Sequence, residues 1–136
     1  MKSRDALIRL KRFEVDEKRR KAAEIETMIG DFNHMAVDLD RQIAIEQERS
    51  GVSDTNHYAY PTFAKAAIQR RNNLLASAAD LQIKLASARE QLAEALEELG
   101  KIELLEERDA MKLEQVRNAQ ADLAEAASGV QQRVAS

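Results

Sequence analysis

The chain has 136 residues, enough for one ordinary domain, with 33% charged residues, 4% aromatic residues and a formal net charge of −3. That balance argues against nucleic acid as a partner, because phosphate binding needs a clear excess of Lys and Arg on one face. With no cysteine there is no disulfide framework and no thiolate chemistry. No stretch approaches the ~18 apolar residues of a membrane span, and Met1-Lys2-Ser3-Arg4-Asp5 leads into a charged segment rather than a signal-peptide apolar run. The expectation is a soluble cytoplasmic protein with no nucleic-acid partner and no direct membrane insertion. Ala, Glu, Lys, Leu and Arg dominate, as in coiled coils and long helices.

The first predicted element is a helix over about residues 3–49. Ser3 is its expected N-cap, and Asp5 suits the positive end of the helix. Ile8, Val15, Ala22, Ile29, Ala36 and Ile43 recur every seven residues, and Ile25, Phe32 and Leu39 form a second row between them. This alternation of three and four is a coiled-coil stripe. Gly51 is the expected left-handed residue that ends the helix. A turn is predicted over about residues 50–60. A second helix follows over about residues 61–133, with Pro61 in its first turn, where a missing N–H costs nothing. Its stripe runs Leu74, Ala78, Leu81, Leu85, Ala88, Leu92, Ala95, Leu99 and Ile102. It weakens at Glu106 and Asp109, then resumes at Leu113, Val116, Leu123, Ala127 and Val130. Gly30 and Gly100 fall inside the helices, each at a cost of about 1 kcal/mol against Ala.

The predicted fold is all-α: one long two-helix antiparallel coiled-coil hairpin over residues 1–136. Its helices have room for about 47 and about 72 residues, roughly 70 Å and 108 Å, so the second overhangs the first by roughly 25 residues. Folding about residue 55 pairs positions whose numbers add to about 110, which makes six layers wholly apolar. They are Ile8 with Ile102, Val15 with Ala95, Ala22 with Ala88, Ile29 with Leu81, Ala36 with Leu74, and Ile43 with Ala67. Ile25 then meets Leu85 and Phe32 meets Ala78. Lys11 and Lys18 fall opposite Leu99 and Leu92, which their stems can cover. Leu39 opposite Arg71 is a poorer match and predicts a register slip near the tip. Charge favours the same orientation. Residues 1–21 are basic, and the segment opposite is acidic at Glu90, Glu94, Glu97, Glu98, Glu103, Glu106, Glu107 and Asp109. Each exposed pair stabilises only weakly, but together they disfavour a parallel arrangement.

No catalytic constellation stands out. There is no phosphate-cradling glycine loop, no H-E-x-x-H and no G-x-S-x-G. His34 reads as a surface residue and His57 as a solvated turn residue. Only Asp54 and Asn56 stand near His57 as further ligands, too few for a metal. Asp38 and Asp40 point to different helix faces. The chain therefore reads as a non-enzyme without catalytic residues, cofactor or metal.

Two features invite partners. At the hairpin tip Tyr58, Tyr60 and Phe63 hold three of the five aromatic residues. They either cap the end of the seam or form a contact patch. In the overhang, Leu113, Val116, Leu123 and Val130 keep the spacing of a helix that meets other helices. Fraying, with Gly129 as the helix stop, self-association of two overhangs, and insertion into a partner are the three readings of that segment.

The opening Leu7-Ile8-Arg9-Leu10-Lys11-Arg12-Phe13, with Glu17 and Ala22-Ala23 after it, resembles the start of the FliJ family of flagellar export proteins. The stretch Gly51-Val52-Ser53-Asp54-Thr55-Asn56-His57-Tyr58-Ala59-Tyr60-Pro61-Thr62-Phe63-Ala64-Lys65-Ala66-Ala67 is similar to the turn of that family's alphaproteobacterial branch. The resemblance implies a component of the flagellar type III protein export apparatus, in the cytoplasm beside the export gate at the inner membrane. It implies a stalk-like element in the pore of the hexameric flagellar export ATPase. The other partners it implies are the cytoplasmic domain of the export-gate membrane protein and the export chaperones. The ATPase-facing end would then be residues 1–21 with 103–134, and the gate-facing part would lie nearer the tip. The alternative is a structural coiled-coil adaptor or small helical chaperone unrelated to secretion.

Overall fold

The computed structural model describes the backbone of residues 2–135 and the side chains of residues 3–130. It is an all-α antiparallel hairpin of two helices of unequal length. Helix α1 spans Lys2–Ser50, 49 residues, and α2 spans Thr62–Ala135, 74 residues. No strand occurs among the described residues. Three expected boundaries move. Ser3 lies inside the first turn of α1 rather than capping it, because the helix reaches back to Lys2. The turn occupies residues 51–61, and the Pro61 carbonyl accepts from Lys65 N–H at 3.1 Å. Pro61 is thus the cap residue of α2, not its first helical residue. Gly129 does not stop α2, which continues through it to Ala135.

The close of α1 is as expected. Gly51 adopts φ 74°, the only positive φ among the described residues, and its N–H donates to the Gln47 carbonyl at 2.9 Å. A single such bond from a left-handed residue is the simpler of the two glycine helix stops.

One compact unit comprises Val15–Glu94. Here the three-four spacing becomes a closed seam. Ala22, Ile25 and Ile29 of α1 pack with Leu81, Leu85 and Ala88 of α2, and Phe32 lies against them. Nearer the turn, Leu39, Ile43 and Ala67 form a second cluster with Ile68 and Leu74. Small residues face large ones, as close packing requires. Polar contacts across the seam give the direction. Lys18 Nζ meets Gln91 Oε1 at 3.2 Å, Arg89 meets Glu26 at 2.6 Å, and Arg71 meets Asp40 at 2.8 Å. Numbers rise along α1 as they fall along α2. The slip expected near the tip does not occur. The Arg71 guanidinium turns aside to Asp40, which leaves Leu39 buried in the seam.

The other unit comprises Met1–Glu14 and Ala95–Ser136. Ile8 and Ala95 are buried, and Leu99 and Ile102 are half-buried. Three basic residues of α1 reach acids of α2 in the expected sense. Lys11 meets Glu98 at 3.0 Å, Arg12 meets Glu103 at 3.6 Å, and Arg4 meets Glu106 at 3.6 Å and also Asp109. Beyond that point every residue of α2 from Ala110 to Ser128 is exposed.

Candidate functional site: the uncovered stretch of the second helix

Counting three and four residues from Leu99, the seam positions of α2 are Ile102, Glu106, Asp109, Leu113, Val116, Gln120, Leu123, Ala127 and Val130. The pattern does not lose phase where α1 runs out. Its two charged positions, Glu106 and Asp109, are the ones that Arg4 engages. The apparent weakening of the stripe is therefore a charged stopper at the end of the paired seam. One carboxylate oxygen of Glu106 is shielded from water and accepts no hydrogen bond among the described residues. The bond from Arg4 holds the Asp109 carboxyl below its ordinary value and raises the guanidinium of Arg4. The Lys11 ammonium is likewise raised, first by its bond to Glu98 and then by Glu14.

Past the stopper, Leu113, Val116, Leu123 and Val130 are 53%, 52%, 71% and 58% exposed. The structure places these four sequence-predicted residues on one face of one continuous helix, with no helix against them among the described residues. Arg4, Glu106, Asp109, Ala110, Lys112, Leu113 and Val116 line an open cleft of about 490 Å³ where the face begins. Its floor is apolar and one wall is the Arg4 ion pair. Such a cleft can receive a side chain from another helix, but it cannot exclude water as an active site must. Residues 1–2 and 131–134 of the expected ATPase-facing end fall outside the described side chains.

The tip aromatics divide. Tyr60 is 5% exposed, and its hydroxyl accepts from Gln47 Nε2 at 2.9 Å, so it closes the seam. Tyr58 is 96% exposed and stacks only on His57, with ring centroids 4.6 Å apart, while Phe63 is 55% exposed. Of the three aromatics, Tyr60 thus takes the capping place and Tyr58 and Phe63 stay exposed. His57 is more than a solvated turn residue. Its Nδ1 accepts from Ala59 N–H at 3.0 Å and its carbonyl accepts from Tyr60 N–H at 3.0 Å. Its own N–H donates to the Asp54 carbonyl at 3.1 Å, and Asp54 Oδ1 accepts from Asn56 N–H at 2.9 Å. The Asp54 and His57 side chains thus help to shape the turn. Among the described residues no group of three or more His, Cys, Asp or Glu is placed to hold a metal ion.

Sequence reasoning passed over a set of apolar residues off the seam. Leu7, Leu10 and Phe13 of α1 and Leu104, Leu105 and Met111 of α2 are all exposed, in the same unit as the uncovered stretch. Their signal was available. They are large apolar residues at heptad positions that a two-helix seam does not use.

The fold and this face define a helical hairpin whose second helix carries its seam beyond the first. No family model, curated protein or solved structure matches the chain.

Proposed function

We propose that this chain is a component of the flagellar type III export apparatus that docks into the export ATPase ring as a central stalk. The observation that carries the reading is the uncovered seam from Leu113 to Val130. It is a helix already spaced for partner helices and left without one. The resemblance to the FliJ family at residues 7–23 and 51–67 supplies the partner's identity. In this reading the apolar face contributes binding energy, and the Arg4, Glu106 and Asp109 charges beside it set encounter rate and salt dependence. The tip, with Tyr58 and Phe63, is turned to the export gate and to chaperones.

The test is binding to the purified flagellar export ATPase. Replacing Leu113, Val116 and Leu123 together by Ser weakens the complex while far-UV circular dichroism stays unchanged. Tyr58→Ala with Phe63→Ala leaves it intact. Tyr60 is avoided in that control because its burial and its bond to Gln47 make it structural. Binding lost at the tip and kept with the stripe replaced assigns the wrong end. If the ATPase is not bound at all, the adaptor reading takes over.

A further inference from the structure

We propose that the uncovered stretch of α2 pairs with the same stretch of a second copy of this chain, antiparallel, about a twofold axis between Ala121 and Asp122. Two observations point to this occupant. The face continues, without loss of phase, the antiparallel seam that α1 and α2 already form in the same unit, so an antiparallel helix of like spacing fits it. The stretch is complementary to itself. About that axis Leu113 meets the partner's Val130, Val116 meets the partner's Ala127, and Gln120 meets the partner's Leu123. Each layer then occurs twice, as an isologous interface requires. The charged stopper at Glu106 and Asp109 falls outside these layers. Charge does not oppose the pairing. Residues 113–120, where Arg117 balances Glu114, lie opposite the partner's residues 123–130, where Glu125 is the one charged residue.

The flanks fit as well. In the paired parts of the chain, the residue just after a second-row seam position meets its counterpart across the seam. Arg12, after Lys11, meets Glu103, after Ile102, in one unit, and Glu26, after Ile25, meets Arg89, after Ala88, in the other. By the same rule Ala124, after Leu123, meets the partner's Ala124 on the axis. On the other flank the mirror offset brings Ala119 to the partner's Ala119. These side chains let two helices approach closely. The pairing goes beyond the docking reading: a self-paired chain hides the face that the ATPase would take, so the two partners compete for one surface.

The experiment uses the full chain alone, so it succeeds or fails independently of any ATPase. Sedimentation equilibrium over rising concentration is expected to show the mass move from 15.3 kDa toward twice that value. Leu123→Asp holds the mass at that of the single chain over the same range, with unchanged helicity. Because the natural chain has no cysteine, single replacements report geometry directly. Ala124→Cys forms a disulfide-linked dimer under mild oxidation, and Asn118→Cys, on the outer face, does not. A single-chain mass at every concentration overturns the proposal. So does a dimer insensitive to Leu123→Asp, or cross-linking at position 118 as fast as at 124.

Discussion

Two stretches of α2 carry the same spacing and meet opposite fates. From Ala64 to Ala88 every seam residue is buried or half-buried, whereas from Leu113 to Val130 every seam residue is exposed. Neither the period nor the helix differs. What differs is whether α1 supplies an opposing row. Periodicity therefore names the face that a helix would bury, and the length of the opposing helix decides whether it is buried. The side chains do not explain the difference. The covered stretch sets Leu74, Leu81 and Leu85 among alanines and admits Arg71, and the uncovered one carries Leu113, Val116, Leu123 and Val130 and admits Gln120.

The sharpest way to break the comparison is to make one substitution in each stretch. Leu81 is 9% exposed, within the cluster of Ile25, Ile29 and Leu85. Leu81→Ala is expected to cost roughly 2–5 kcal/mol in urea unfolding, the range for removing a buried leucine side chain. Leu123→Ala, at concentrations where the chain is monomeric, should stay within about 0.5 kcal/mol of the parent. Equal costs would mean that the outer stretch packs on its own chain, and the contrast would fail.

A second contrast concerns the same replacement at two glycines, with opposite signs. Gly51 holds a left-handed φ that a Cβ opposes, although no atom stands within 4 Å of where the Cβ would be. Gly51→Ala should destabilise by about 1 kcal/mol through backbone strain alone. Gly30 lies mid-helix with equally open surroundings and no left-handed φ. Gly30→Ala should stabilise by up to about 1 kcal/mol, because alanine restricts the unfolded chain and suits a helix. Thermal melts of the two variants, moving in opposite directions, check both signs.

The hairpin was legible because its evidence is redundant. Ile8 through Ile43 and Leu74 through Ile102 state the period, Gly51 and Pro61 state the turn, and the basic start against the acidic segment states the direction. Legibility failed where one side chain can leave its position. Arg71 read as a mismatch with Leu39, but a long side chain can carry its charge out of the seam to Asp40. It failed again at the tip. Tyr58 and Tyr60 are two residues apart, and only the hydrogen bonds of the turn decide which is buried. The candidate site was visible as spacing. The role of Glu106 and Asp109 was not, since it depends on Arg4, more than a hundred residues earlier in the chain.

That stopper gives the smallest effect and the one that tests where the two fates divide. The bond from Arg4 keeps the Asp109 carboxyl below its ordinary 3.8. A carboxylate depressed by folding stabilises the folded state at pH above its unfolded pKa. That contribution fades as pH falls below 3.8 and is gone once pH passes below the folded value. The converse holds for the raised Lys11 ammonium. Its contribution is present below its ordinary 10.5 and is lost as pH rises through the higher folded value. Both side chains are solvated at their edges, so salt should shrink each effect. The expected outcome is that Asp109→Asn lowers stability slightly at neutral pH and flattens its fall below pH 4, while leaving the alkaline limb unchanged. Urea unfolding at closely spaced pH values, at low and high salt, measures this. If Asp109→Asn leaves the acid limb as steep as before, Arg4 does not close the paired seam, and the boundary between the covered and the uncovered stretch lies elsewhere along α2.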